Sequence, residues 1–208
     1  MTATLFGRTW NITVGDTEIN DLACDFAVKK TLKKDPNTCS LKIYNLSPKT
    51  RAKFTDPKAV TIRIEAGYGK KLSQLYLGEV RALSPGEVMG SDIVTELTSG
   101  DGEKKIQGSR LAVPIGAGSD GGVALRAIAK ALGVGSGNVE KAAGKLAATG
   151  VAYFTRSTVI SGNAARALTD LCRSAGLEWS IQDGQLQLLD INKWLDTKPY
   201  IISATTGM

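Results

Sequence analysis

Five acidic side chains in the first half of the chain could in principle supply a pair of catalytic carboxylates: Glu65, Glu79, Glu96, Asp101 and Glu103. Glycoside hydrolysis needs two such groups on either side of the scissile bond. Glu65 and Glu96, however, fall on polar positions of segments that alternate like strands, and Asp101-Gly102 has the composition of a turn. We therefore interpret these carboxylates as solvated strand and turn residues, and we predict no catalytic residues.

The segment Gly116-Ala117-Gly118-Ser119-Asp120-Gly121 matches the pattern G-x-G-x-x-G. A dinucleotide site would also need an acidic residue about 20 positions further on, for which Glu140 is the only candidate. The context argues against such a site, because Pro114 interrupts the preceding apolar run and no regular βαβ series follows. Asp120 would also bring negative charge towards the phosphates. We interpret the segment as a flexible inter-domain linker with a helix N-cap, and we predict no cofactor.

The chain has no histidine. Histidine is the commonest general base and the commonest transition-metal ligand, so its absence excludes Ser-His, Cys-His and His-metal chemistry. Cys24, Cys39 and Cys172 form no C-x-x-C pair and lie in apolar runs, so we predict buried, reduced thiols and no metal site.

The 208 residues are 42% apolar and 22% charged, which is typical of soluble globular proteins. No apolar stretch approaches the length of about 20 residues that a bilayer helix needs. A basic n-region and an apolar h-region are also missing from the N-terminus. We therefore expect a protein without a membrane-spanning segment that stays in the compartment where it is made.

The net charge of +6 is concentrated in three groups of lysines: Lys29, Lys30, Lys33 and Lys34; Lys70 and Lys71; and Lys104 and Lys105. These groups fall at predicted strand ends and turns, and aromatic residues are not interleaved with them. The pattern favours solvated turns over a specific nucleic-acid site, while leaving room for non-specific attraction of phosphates.

Short strand-like segments dominate the first half, at residues 39–47, 60–68, 75–80 and 93–102. Apolar residues alternate with polar ones, as in Cys39, Leu41 and Ile43, which predicts strands buried on one face. The alternation changes phase after Gly78, which indicates a bulge or bend. The fold class predicted is therefore α+β, and it begins with an antiparallel β-barrel or β-sandwich.

The second half has a helical period. Two amphipathic helices are predicted from apolar residues at i, i+3, i+4 and i+7, one ending at Gly133 and one between Asn163 and Gly176. A weaker third helix is predicted over residues 139–147. A hairpin turning at Asp183-Gly184 follows, so a small α/β domain is expected, and residues 200–204 read as one further strand.

The order of these segments resembles the N-terminal domain of baseplate or tail hub proteins of long-tailed, contractile bacteriophages. The pieces that carry the resemblance are 44–47 (YNLS), 66–68 (AGY), 77–80 (LGEV) and 100–102 (GDG), and it extends more loosely to about Asp190. It implies a tail-tube-like β-domain over residues 1–107, an α/β domain over 108–190, and a return strand over 191–208. That strand could begin a second β-domain in a longer protein or end a short form.

The resemblance implies a non-enzymatic hub subunit of the tail baseplate, assembled in the host cytoplasm and located in the virion. Such a hub is a homotrimer that joins the tail tube protein to the central spike and contacts other baseplate subunits. Its channel passes the tape measure protein and, later, DNA during genome ejection. Two alternatives stay open: another structural subunit, such as a tube protein or baseplate initiator, and a cell-wall-degrading tail enzyme.

The same resemblance suggests roles for surfaces. Polar strand positions would face the channel: Arg63, Glu65, Glu96 and Thr98. Basic turns would be assembly contacts: Lys29, Lys30, Lys33, Lys34, Lys70 and Lys71. Ring neighbours would cover exposed sheet edges, for which the N-terminal strand and Ile93–Thr98 are the candidates.

Overall fold

The computed structural model describes residues 7–55, 61–84, 86–150 and 153–192. The strands are β1 (Arg8–Val14), β2 (Thr17–Ile19), β3 (Cys24–Lys29), β4 (Thr38–Tyr44), β5 (Thr61–Tyr68), β6 (Lys71–Leu83), β7 (Glu87–Met89), β8 (Asp92–Gly100), β9 (Arg110–Ile115), β10 (Thr158–Asn163), β11 (Leu177–Gln182) and β12 (Gln185–Asp190). The helices are α1 (Pro48–Lys53), α2 (Glu103–Gly108), α3 (Gly121–Leu132), α4 (Val139–Thr149) and α5 (Ala164–Ser174). The predicted α+β class is confirmed.

The described residues divide into two compact units. The sheet unit comprises residues 7–29 and 38–100, and the helical unit comprises residues 30–37 and 101–192. The segment 30–37, which connects β3 to β4, thus belongs to the helical unit although both of its neighbouring strands belong to the sheet unit.

The sheet unit is one antiparallel sheet in the order β2-β1-β5-β6-β8-β4-β3, with β7 paired to β8. Within the described residues the sheet ends at β2 and β3 and does not close into a barrel, so the sandwich is the better description of the two predicted forms. Its core joins distant strands, since Ile12 of β1 and Leu41 of β4 are fully buried in one cluster. Because three strands lie between β1 and β4, the sheet must bend around this core.

Strand β6 allows this bend. It is 13 residues long and its register shifts between Val80 and Ala82, where it pairs with β8. The bulge predicted from the change of phase after Gly78 is therefore confirmed. A Cβ atom on Gly78 would collide with the ring of Tyr76, whose hydroxyl lies 2.9 Å from the Ser99 hydroxyl in the core. Gly78 thus gives the Tyr76 ring room to enter the core.

The helical unit packs α3, α4 and α5 against two two-stranded antiparallel sheets, β9-β10 and the hairpin β11-β12. Side chains cap both helices where the sequence places their starts: Asp120, and not a neighbouring glycine, accepts a hydrogen bond from the Val123 N–H at 3.1 Å, and Asn163 accepts one from the Arg166 N–H at 2.9 Å. The predicted hairpin turn has Asp183 at φ 55° and Gly184 at φ 77°. Two positive φ angles in a two-residue loop are characteristic of a type I′ turn.

Three expectations need correction or lie outside the described part. Residues 116–121 are not an inter-domain linker, because they lie within the helical unit and the Gly118 N–H donates to the Phe154 carbonyl at 2.8 Å. Pro114 does not prevent a strand, since β9 pairs only with β10 in the described part and its other edge needs no N–H donor there. The strand predicted over residues 200–204 falls outside the described residues.

Candidate assembly surfaces

The predicted channel residues share one face of the large sheet. Arg63 lies opposite Thr13 of β1, and the buried neighbours of Arg63 on β5 are Ile62 and Ile64. Since successive side chains alternate between faces, Arg63 and Glu65 point away from the core. On β8, Glu96 and Thr98 also point away from the core, because they alternate with the buried residues Leu97 and Ser99. The four residues form two pairs separated by β6, so they share a face without forming a cluster.

Glu96 is held by neighbours on β4. The Ser40 hydroxyl donates to one Glu96 carboxylate oxygen at 3.1 Å, and the Lys42 ammonium lies 4.0 Å from the other. Both charged side chains are partly exposed, so this pair contributes little to stability. The face around Glu96 is therefore polar and of mixed charge.

The predicted basic contacts do not behave alike. Lys70 lies in the tight turn between β5 and β6, and Lys71 is the first residue of β6. Lys29 ends β3, while Lys33 and Lys34 lie in the irregular segment 30–37. All five are exposed.

Lys30 instead has a partner within the helical unit. Its ammonium donates to both carboxylate oxygens of Asp183, at 2.7 and 2.8 Å. The two side chains are only 32% and 27% exposed. Lys30 is therefore occupied in a partly exposed ion pair within the chain, which the sequence could not show because the partner lies far along the chain.

Asp101 corrects the interpretation of the carboxylates. It lies in a turn but is buried, with 1% of its surface exposed. Its carboxylate accepts hydrogen bonds from the N–H groups of Asp183 at 2.6 Å and Gly184 at 3.0 Å. Burial raises the pKa of Asp101 more than these two bonds lower it. Asp101 thus binds the β11–β12 turn and is not a solvated turn residue.

The segment 30–37 is tied to the same hairpin. The Asn37 side chain donates to the Ile181 carbonyl at 2.9 Å and accepts from the Thr31 N–H at 2.8 Å. The Gln182 amide donates to the Thr31 carbonyl at 2.6 Å. These bonds fix the backbone that carries Lys33 and Lys34.

Strands β1, β5 and β6 form a three-stranded arm of the sheet, and each side of this arm has a free strand edge. Strand β2 pairs only with Ile12–Val14 of β1, which leaves the outer edge of residues 8–11 unpaired in the described part. Strand β8 pairs with β6 only from Glu79 onward, which leaves residues 71–78 with an unpaired edge there. Both edges lie at the same end of these strands, because Tyr68 of β5 pairs with Arg8 of β1 on one side and with Lys71 of β6 on the other.

The predicted edge at Ile93–Thr98 is wrong. Strand β8 lies inside the sheet, between β4 on one side and β6 and β7 on the other. Alternation shows that one face of a strand is buried but does not show whether its edges are paired. The N-terminal strand does carry a free edge over its first four residues in the described part.

The thiols are unreactive by environment. Burial raises the pKa of Cys39 to about 11 and that of Cys172 to about 12, and it also raises the pKa of the half-buried Cys24 to about 11. The nucleophilic thiolate is therefore scarce at neutral pH. Among the described residues, no cluster of acidic, cysteine or histidine side chains has the geometry to hold a metal ion. No described helix is long and apolar enough to cross a membrane.

Two solved structures share this fold. The tail protein from Neisseria meningitidis MC58 aligns over 88% of this chain and 50% of its own length, with a TM-score of 0.56 and 13% identity. The 43 kDa tail protein of prophage MuSo2 from Shewanella oneidensis aligns over 88% and 53%, with a TM-score of 0.58 and 11% identity. The present chain thus spans about half the length of each. No protein-family model and no curated protein matches the sequence.

Proposed function

We propose that the protein is a structural, non-enzymatic subunit of a bacteriophage tail. The observation that carries this proposal is the shared fold over 88% of the chain with two proteins described as tail proteins. The order of segments in the sequence suggested the same class independently of the fold. The virion tail is the proposed location, with assembly in the host cytoplasm.

Within the tail, the proposed role is a baseplate hub that joins the tube to the central spike. An arm with a free edge on either side can pair head to tail with two neighbours, β6 of one copy with β1 of the next. Such heterologous contacts close into a ring when the rotation permits. A homotrimer is the ring that the resemblance implies.

The polar face of the sheet would line the channel of this ring. Arg63, Glu65, Glu96 and Thr98 all lie on that face. A polar wall of mixed charge lets the tape measure protein and DNA pass without strong attachment, because opposite charges limit the field along the path. We propose these four residues as the channel surface.

The exposed lysines would meet the neighbouring rings, including the tube protein, the spike and other baseplate subunits. Lys29, Lys33, Lys34, Lys70 and Lys71 are exposed, and basic loops increase association rates with acidic partners. Lys30 is left out of this proposal because Asp183 already binds it.

Immunogold electron microscopy tests the proposal. An antibody raised against the purified protein is applied to phage particles that carry its gene. Gold at the baseplate end of tails supports the hub, and gold along the tail favours the tube. Native mass spectrometry of the protein distinguishes a trimer from the sixfold ring of a tube or initiator. Unlabelled tails together with turnover of peptidoglycan would instead support the tail enzyme.

A further inference from the structure

The helical unit carries an open groove of about 690 Å³ between β10 and α5. Its lining is apolar where Phe154, Ile160 and Leu171 contribute, and charged where Arg166 and Asp170 of α5 border it. Two further lining residues are unusually exposed for their type, Tyr153 at 56% and Val159 at 63%. The groove is thus a concave apolar surface with charged groups on its helical wall.

The groove borders the backbone edge of β10. Five consecutive residues of this strand, Val159 to Asn163, line it. A strand that presented only one face would contribute every second residue, so a continuous run means that the edge itself faces the groove. In the described part, β10 pairs only with β9. Half of its backbone N–H and C=O groups therefore point into the groove without a strand partner.

The sheet unit carries a complementary projection. The hairpin of β7 and β8 exposes 78% of Val88 and 58% of Met89, and Ile93 lies opposite Val88 with 38% exposed. Strand β7 pairs only with β8 in the described part, so its outer edge is unpaired as well. An exposed apolar hairpin beside a free edge is a surface that proteins normally cover.

The groove and the β7–β8 hairpin carry side chains of opposite charge. Glu87 begins β7, and Arg166 lies in the first turn of α5, next to the end of β10. Neither side chain makes an ion pair or side-chain hydrogen bond within the described residues. An antiparallel pairing of β7 with β10 would bring Glu87 to the Arg166 end of the groove and Met89 towards Ile160.

We propose that β7 of one copy of this chain adds to the free edge of β10 in a second copy. Met89 then enters the groove beside Ile160, and Glu87, on the same face of β7, pairs with Arg166. The contact is heterologous, so its repetition closes into a ring when the rotation between copies permits. It rests on the self-association that the proposed function requires, and it names a second contact within the same ring.

Disulfide trapping tests the occupant directly. Val88→Cys and Ser161→Cys are made separately, and the two proteins are mixed under mild oxidation. A cross-linked dimer that forms from the mixture and from neither protein alone supports the proposal. The double variant should give a ladder of cross-linked species up to the ring size. A disulfide that formed only within one chain would overturn the proposal, because β7 would then occupy the groove of its own copy.

Charge exchange tests the register. Glu87→Arg and Arg166→Glu should each weaken self-association several-fold in sedimentation experiments, and the double variant should restore most of the loss. Glu178→Arg and Lys141→Glu change exposed charges elsewhere and serve as matched controls. The inference would be overturned if the single variants weakened self-association and the double variant did not restore it. It would also be overturned if Val88→Cys cross-linked to a different tail protein in particles. Labelled tails would still support the proposed function in that case.

Discussion

Asp101 carries a carboxyl group whose protonation is coupled to folding. Its pKa in the folded protein lies above the usual 3.8, chiefly because the group is buried. The folded protein thus holds this proton more tightly than the unfolded chain does. The resulting stability is present in full below about pH 3.8 and is lost as the pH rises through the folded-state pKa.

Asp101→Asn removes this titration while nearly keeping the shape of the side chain. We expect the variant to be less stable than the wild type, because an amide nitrogen cannot accept a hydrogen bond from Asp183 or Gly184. The difference should be largest near pH 4 and should shrink towards pH 7. Urea unfolding of both proteins across this range measures it, with the exposed Asp35→Asn as control. Parallel pH curves for the wild type and Asp101→Asn would contradict the argument.

Lys30 is distinguished from its neighbours by the ion pair with Asp183. Lys30→Ala should lower the free energy of unfolding by about 0.2–1 kcal/mol, the usual range for a partly exposed pair. Lys33→Ala, whose side chain is exposed, should leave it unchanged within error. Chemical denaturation at low salt provides the comparison. Equal effects of the two substitutions would mean that the Lys30 pair does not stabilise the helical unit.

Strand β6 depends on a glycine that makes room for its own tyrosine. Gly78→Ala would push the Tyr76 ring out of place and break its hydrogen bond to Ser99, which we expect to cost about 1–3 kcal/mol of stability. Gly144→Ala is the matched control, because a Cβ there meets open space in the helix α4. That control should stabilise the protein by up to about 1 kcal/mol. Thermal unfolding that gave the same sign for both variants would refute this account of β6.

Local signals predicted most elements, because strand alternation, helix caps and the Asp183-Gly184 turn depend on residues close in sequence. The first half of β6 was missed because all of residues 71–75 are exposed, so no alternation marks them. Strand β9 was missed because Pro114 normally argues against a strand, and its edge position depends on tertiary pairing.

The candidate surfaces were predictable only where they depend on strand alternation. Arg63, Glu65, Glu96 and Thr98 share a face because alternation fixes the side to which each points. Pairing of edges and burial of turns are non-local: the partners of Asp101 lie 82 and 83 residues away. No local pattern distinguishes such a buried turn from a solvated one.

In the whole molecule, we expect different residues to stabilise the fold of one copy and to bind that copy to other proteins. Lys30, Asn37 and Asp101 stabilise the helical unit, and their loss should be visible in the isolated protein. The exposed lysines contribute little to the fold itself because solvent screens them. Their effect is therefore expected in assembly alone.

Reversal of four exposed charges tests this separation. Lys33, Lys34, Lys70 and Lys71 are replaced together by Glu. The melting temperature of the isolated protein should stay nearly unchanged, whereas incorporation into tail particles should fall, because the acidic partner surfaces that we propose would now repel these loops. Incorporation is measured by quantitative immunoblotting of purified particles.

A control variant carries the same change in net charge at other exposed lysines: Lys104, Lys130, Lys141 and Lys145. If the first variant alone fails to enter particles, position matters and not net charge. Raising the salt concentration should then reduce wild-type incorporation as well, since screening weakens attraction between exposed charges. Normal incorporation of the first variant at physiological salt would mean that these lysines are ordinary solvated turn residues.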